Sequence, residues 1–522
     1  MIRARPPLPL LAVSLSLLVA ACGGIASEID APVPDAGRDG GASGGADGGA
    51  DGGVSQELVP VGHGRELRGA WIATVGNLDW PPSSALGPDA GRASLEALVD
   101  DMADAGMNAL FFQVRPESDA LYASSLEPWS RFLSGAQGQD PGWDPLEALL
   151  ELAHARGMEV HAWMNPYRGL TSANVQAAPN HVTRTLAASA ITYDGKVVMD
   201  PGNPAVRAHV EAVVADLLSR YDVDGLHFDD YFYPYPDAAG TPFPDSATYA
   251  AYQSDGGTLS RPDWRRDNVN TLVREVMALI QSEHPHVRFG ISPFGIWKSG
   301  TPAGISGLSA HDVISCDAVT WMNQGWVDYL APQLYWPTGS ACSTCAAQDF
   351  TKLSNWWASG TVGGRHLFVG HATYRLGTTA AWTLAEYRAQ LEHTRTLRGS
   401  NALGAIHFRA ANFRTNLLGV RDLTRELYAA PALPPPVPRA GAAVPPAPPL
   451  VTVQGGALRV TDLVPLQVRF HALYRERQPG TWELAEVRGR PEPTFVVGSG
   501  SWAISAVGRG GGESAGVRVT VP

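Results

Sequence analysis

The run Val223-Asp224-Gly225-Leu226-His227-Phe228-Asp229-Asp230-Tyr231-Phe232-Tyr233-Pro234 carries a short apolar stretch onto two adjacent carboxylates, with aromatics immediately after. Side chains alternate along a strand, so His227 and Asp229 share one face while Leu226 and Phe228 share the other. If this strand belongs to a parallel barrel, its C-terminal end opens onto the active site. A carboxylate there, walled by Tyr231, Phe232 and Tyr233, suits sugar chemistry. Aromatic rings stack on sugars, and the carboxylate stabilises a developing oxocarbenium ion. Such a reaction needs a second carboxyl kept protonated. Alternation turns Asp230 away from Asp229, so the acid is expected first at Glu117 or Asp119, with Asp79 and Asp230 as further candidates.

Other polar and aromatic residues fall where strands end. Trp71 and Asp79 follow the first strand, Gln113 and Arg115 the second, and Asn165, Tyr167 and Arg168 the third. His227 and Tyr231 belong to the fourth, Gln333, Tyr335 and Trp336 to the sixth, His371 to the seventh and Arg409 to the eighth. All are predicted to bind substrate. His161 and His407 are read as satisfied core residues. Asp224 and Asp328 begin strands, at the opposite end of a barrel, and are read as structural.

These positions require eight apolar strands, predicted at 67–74, 109–114, 159–165, 225–230, 288–294, 329–335, 366–372 and 404–410. Helical patterns follow most of them, at 95–105, 144–155, 205–221, 264–283, 384–397 and 413–428. Asp263 is the expected N-cap before Trp264, and Gly106 and Gly157 are the expected helix stops. The alternation predicts an α/β fold, a (β/α)8 TIM-type barrel over 57–430. An open doubly wound sheet would often carry a Gly-rich phosphate loop, and none stands in the right context. Residues 431–449 are rich in Pro and read as a stiff extended linker. Short alternating runs over 450–522 predict a small all-β sandwich. Its last stretch, Trp502 to Ser514, resembles the final hairpin of a fibronectin type III module.

The N-terminus reads as an export signal over 1–21: Arg3 and Arg5, then an apolar stretch from Leu8 to Ala20. Val19-Ala20-Ala21-Cys22 resembles a bacterial lipobox, which would make Cys22 the lipidated first residue. Residues 22–56 are dominated by Gly, Ala and Asp and read as a flexible tether. The expected location is the cell envelope, on the periplasmic side or at the outer membrane, as a lipid-anchored protein. Cys342 and Cys345 are expected to form a local disulfide, since no second pair completes a four-ligand metal site. The formal charge of −12 and the absence of a basic stripe argue against nucleic acid. No cofactor or metal is required, and a monomer is expected.

Six ordered motifs make the barrel segment recognisable. Arg68-Gly69-Ala70-Trp71-Ile72-Ala73-Thr74-Val75, Phe111-Phe112-Gln113-Val114-Arg115-Pro116, His161-Ala162-Trp163-Met164-Asn165-Pro166-Tyr167-Arg168, the Asp229-Asp230 run, Gly290-Ile291-Ser292-Pro293-Phe294-Gly295-Ile296-Trp297 and Pro332-Gln333-Leu334-Tyr335-Trp336 resemble glycosyl hydrolase-like family 10. That resemblance implies a bacterial glycosidase-type barrel acting on cell-envelope polysaccharide, particularly peptidoglycan glycan strands lacking stem peptides. The pattern Asp224-Gly225-Leu226-His227-Phe228-Asp229 also resembles the nucleophile strand of α-amylase-type barrels. By that analogy Asp229 is the nucleophile or transition-state stabiliser. A non-catalytic polysaccharide-binding lipoprotein and a metal-dependent deacetylase are the competing readings.

Overall fold

The computed structural model describes residues 56–84, 86–489 and 493–522. The export signal, Cys22 and nearly all of the tether lie outside the described residues.

Eight parallel strands close into a barrel. They are β1 (Leu67–Ile72), β2 (Ala109–Arg115), β3 (Glu159–Met164), β4 (Gly225–Phe228), β5 (Arg288–Ile291), β6 (Tyr329–Leu330), β7 (His366–Ala372) and β8 (Ala402–Phe408). Neighbours in sequence are neighbours in the barrel, and β8 closes onto β1. Several strands end earlier than the sequence pattern suggests, and at β4 this matters. It stops at Phe228, so Asp229 and Asp230 stand beyond the ladder.

The helices form where local chemistry permits. Pro145–Ala155 starts on Asp144, whose Oδ1 accepts from Leu146 N at 3.0 Å and Glu147 N at 3.1 Å. It is followed by Gly157 at φ 73°, a left-handed stop that suits glycine. Pro204–Arg220 is capped by Asn203 and buries Val206, Val210, Val213, Val214, Leu217 and Leu218. That spacing is one helical face turned to the barrel. The helix before β5 spans Arg261–Glu283, and Ser260 caps it instead of Asp263. The Ser260 hydroxyl is placed three residues earlier and reaches the Asp263 amide. The expected helix over 413–428 is two pieces, Ala410–Arg414 and Val420–Leu427.

The barrel interior alternates large and absent side chains. A Cβ on Gly225 would stand 2.3 Å from His161 Nδ1, and one on Gly290 would stand 2.2 Å from the Tyr329 ring. His227 occupies the same layer, with Tyr329 Oη 2.9 Å from its Nδ1. The inward series Gly225, His227, Asp229 therefore follows the predicted period.

After β3 the chain adds a three-stranded antiparallel sheet of Arg168–Leu170, Lys196–Met199 and Ala190–Tyr193, which raises one wall above the barrel mouth. The last segment is a β-sandwich of a five-stranded and a three-stranded sheet. Leu458, Phe495, Ile504 and Val517 lie at its core. The five-stranded sheet also takes in Leu58–Val59, which pairs with the final strand Gly516–Val521. The first residues assigned to the barrel thus belong to the sandwich. Residues 431–449 carry no regular strand or helix, turn at 440–442, and are not a free linker. Leu433 and Val437 are buried, Leu433 N donates to His63 Nε2 at 3.1 Å, and Val437 N donates to Gly510 O. Prolines stiffen the path, and apolar residues between them pin it.

The sandwich docks on the N-terminal ends of the barrel strands. Arg469, 6% exposed, reaches Asp224 at 2.8 Å and Asp222 at 2.7 Å. Asp224 also accepts from Val160 N, and Asp328 meets Arg439 at 3.0 Å and Arg365 at 3.2 Å. Both aspartates are structural, as their position at strand starts predicts. Removing one partner from a buried ion pair leaves an uncompensated charge, at a cost of about 3–5 kcal/mol. Arg469→Ala should lower the stability measured by urea unfolding by roughly that amount. An unchanged unfolding midpoint would refute the assignment of Arg469 as the principal peg between sandwich and barrel.

Candidate active site

A cavity of about 440 Å³ opens at the C-terminal ends of the strands. Trp71, Trp163, Tyr335 and Phe408 form an aromatic lining, with Tyr231, Tyr235, Phe294, Trp336 and Tyr374 around them. Tyr335 and Phe408 stack at 6.0 Å between ring centroids. Two carboxyls line this space, those of Asp229 and Asp230.

Asp229 is held entirely by donors. Asn165 Nδ2 lies 3.0 Å from Oδ1 and 2.9 Å from Oδ2, Trp163 Nε1 donates to Oδ2 at 3.1 Å, and Tyr231 N donates to Oδ1 at 3.2 Å. The indole and the backbone amide can only donate, so this shell favours the ionised form. Burial raises the Asp229 pKa, while Arg168, Asn165, Trp163 and the Tyr231 amide oppose that rise. Asn165 reaches Asp229 because β3 ends at Met164, paired with Phe228 of β4.

Asp230 sits in a different setting. Burial and the neighbouring Asp229 charge push its pKa up to about 6. The Tyr235 hydroxyl donates to its Oδ2 and favours the charged form. The expectation that Asp230 turns away from Asp229 is corrected here. Side-chain alternation holds within a strand, and β4 has already ended, so both carboxyls reach one cavity.

Glu117 and Asp119 do not line the cavity. Glu117 accepts from Arg131 Nε at 2.7 Å and from Thr171 N, and is fully buried. Asp119 accepts from Glu117 N at 3.0 Å and Gln137 Nε2 at 3.1 Å. Burial and the Glu117 charge push Asp119 up to about 7, but its carboxyl is spent on its own loop.

The predicted binding residues divide. Trp71, Gln113, Arg168, Tyr231, Gln333, Tyr335 and Trp336 line the cavity. Gln113 braces the β1 loop, its Oε1 accepting from Thr74 N at 3.0 Å and Val75 N at 2.9 Å. Asn165 acts through Asp229. His227 lies beneath the floor, accepting from Trp71 Nε1 at 3.1 Å. Arg115 is buried in a pair with Glu127 at 2.6 Å. Tyr167 is a core residue, and His371 is buried beside Thr394 and Phe350. Asp79 accepts from Ala73 N and Ala411 N, both at 2.8 Å, while Arg409 donates to Leu78 O at 2.9 Å. These two fasten the loop after β1 without lining the cavity. Asp79, Arg409 and Arg115 thus tie loop backbone down, while His227, Tyr167 and His371 pack in the interior.

The aromatic wall is also shifted. Phe232 and Tyr233 point into the core, and Tyr235 lines the cavity with Tyr231. Tyr374, Arg375 and Phe408 were not foreseen. Tyr235 was legible as a further aromatic in the same run. Tyr374 and Arg375 follow β7 without a strand pattern to mark them. His161 and His407 are core residues as expected. Cys342 and Cys345 form the expected disulfide. Among the described residues no group of three or more His, Cys, Asp or Glu is placed to hold a metal.

Asn165→Leu keeps the bulk and removes both contacts to a buried carboxylate. It should cost about 1–3 kcal/mol in urea unfolding. A variant as stable as the parent would show that Asp229 does not depend on Asn165.

The sequence comparisons agree with this geometry. The family model described as "Glycosyl hydrolase-like 10" matches residues 66–386. Glycosyl hydrolase YngK of Bacillus subtilis (strain 168) is 37% identical over 433 residues, covering 79% of this chain and 83% of that protein. Glycosyl hydrolase DigH of Escherichia coli (strain K12) is 38% identical over 335 residues, covering 60% of this chain and 74% of that protein. Among solved structures, the PgaB (BpsB) glycoside hydrolase domain from Bordetella bronchiseptica covers 69% of this chain and 98% of its own, at 13% identity and a TM-score of 0.44. That likeness is too distant to bear on the site. The closed barrel, the aromatic cavity with its carboxyls and the two glycosyl hydrolases in the sequence comparison make this chain a glycosidase. It belongs to the glycosyl hydrolase-like 10 family.

Proposed function

We propose that this enzyme hydrolyses peptidoglycan glycan strands that lack stem peptides, using Asp229 and Asp230 as its carboxyl pair. The observation that carries the reading is the unequal setting of two carboxyls in one aromatic cavity. Paired titratable groups whose surroundings push them apart are the mark of an acid and its charged partner. Asp229, surrounded by donors, remains the anion beneath the anomeric centre. Asp230, raised to about 6, gives its proton to the leaving oxygen. Trp71, Trp163, Tyr335 and Trp336 provide the stacking faces for the sugar rings. Family membership supports the envelope polysaccharide, as do the export signal and the lipobox-like Val19-Ala20-Ala21-Cys22. In this reading Cys22 carries a lipid, and residues 23–55 let the barrel reach away from the membrane.

Incubation with purified peptide-free strands should release fragments seen by mass spectrometry. Intact strands after prolonged incubation would sink the substrate assignment. Asp230→Asn should cut turnover by roughly 10²–10⁴-fold while leaving strand binding in place. Turnover within a few fold of the parent would move the acid elsewhere.

The pH dependence follows from the same pair. The active form has Asp229 charged and Asp230 protonated. Above about pH 6 Asp230 ionises, so kcat/KM should fall about tenfold per pH unit. The Tyr235 hydroxyl lowers the Asp230 pKa, so Tyr235→Phe should move this basic limb to higher pH. A limb that moves down, or does not move, would contradict the pairing.

A further inference from the structure

A second cavity of about 390 Å³ adjoins the first. The two share Val75, Arg168, Tyr231 and Tyr235. The added three-stranded sheet provides its far side, with Tyr193 and Lys196. Lys196 is matched by Asp194 at 2.8 Å. Arg168 differs. Its guanidinium stacks 4.5 Å over the Tyr231 ring, and its Nη1 touches only Pro116 O at 3.3 Å. No salt bridge to it forms among the described residues, although Arg115 and Arg131 nearby are both paired with glutamates. A guanidinium held over an aromatic ring is pre-oriented, and its planar fork can receive a carboxylate in two parallel hydrogen bonds. Arg168 lines both cavities, and the first of them also holds the carboxyl pair.

We infer that Arg168 reads a free carboxylate on the glycan, placed where the chain passes from the first cavity into the second. This rests on the substrate proposed above and says why that substrate lacks stem peptides. In a peptide-bearing strand the lactyl carboxyl of the muramic sugar is tied up as an amide and carries no charge. Hydrolysis of that amide adds water across the C–N bond, giving the peptide a free amine and the sugar a carboxylate. Only the second product offers Arg168 an anion. A neutral amide there would offer the guanidinium no charge to pair with, which disfavours the wrong strand as well as favouring the right one. The enzyme is thereby placed after an amide-hydrolysing step and consumes its glycan product.

The test is a four-way comparison on the full chain. Peptide-free strands and the same strands with their lactyl carboxyls converted to methylamides are each given to the parent enzyme and to Arg168→Gln. The parent should lose at least about tenfold in kcat/KM on the methylamide, mainly through KM. Arg168→Gln should be slower on the carboxylate strand and indifferent to the conversion. The comparison between strands is made within one variant, so a general loss of activity does not mimic the result. Arg168→Lys, which keeps charge but not the fork, should recover part of the preference. A parent that cuts both strands equally, or an Arg168→Gln variant that keeps the parent's preference, overturns the inference and leaves the substrate intact. A parent that cuts neither strand overturns the substrate reading and this inference with it.

Discussion

A carboxylate at 4% exposure is tolerated in a protein only where donors replace the water it gave up, and the mouth of this barrel is arranged around meeting that demand for Asp229. Three donor groups come from two segments. Asn165 and Trp163 are delivered by β3, and the Tyr231 amide by the turn after β4. The pairing of Met164 with Phe228 sets their height relative to one another. Trp163 serves twice, as a donor to the anion and as a wall of the cavity. A fixed anion in a dry, aromatic space favours positive charge developing beside it far more than one in water, because no solvent has to reorganise.

Asp230 inherits its chemistry from that arrangement. It follows a charged neighbour into a buried site, so its own charge is disfavoured. Both carboxyls thus come from one strand end, and in the proposed mechanism they serve as acid and anion while the rest of the barrel positions them. His227, Tyr329 and His161 fill the layer underneath, and glycine at 225 and 290 makes room for them. At the other end, Arg469, Arg439 and Arg365 meet the aspartates that begin β4 and β6. The β-sandwich and residues 431–449 therefore brace the end of the barrel away from the chemistry.

Much of this was legible in the residues. Eight apolar runs separated by helical patterns give a barrel, and two adjacent carboxylates followed by tyrosines mark a strand that opens into its cavity. What stayed hidden depends on where each strand stops and on long-range partners. Alternation turns Asp230 aside only if β4 runs through it, and β4 ends two residues sooner. Arg115, Tyr167 and His371 have the chemistry of binding groups at strand ends. Nothing local shows that Glu127 will claim Arg115 from a loop. Glu117 and Asp119 mislead in the same way, since Arg131 and Gln137 bind them from beyond the motif. The proline-rich segment reads as a stiff extended linker, whereas the structure turns it at 440–442 and buries parts of it. Its burial depends on surfaces far away in sequence.

The central claim is that Asp229 and Asp230 flank the reacting anomeric carbon. A crystal structure of the Asp230→Asn variant with a peptide-free glycan bound tests it directly. The scissile oxygen should lie about 3 Å from the substituted side chain at position 230, with the anomeric carbon over Asp229. A glycan seated with its bonds away from both residues, and closer to another carboxyl, would contradict the account.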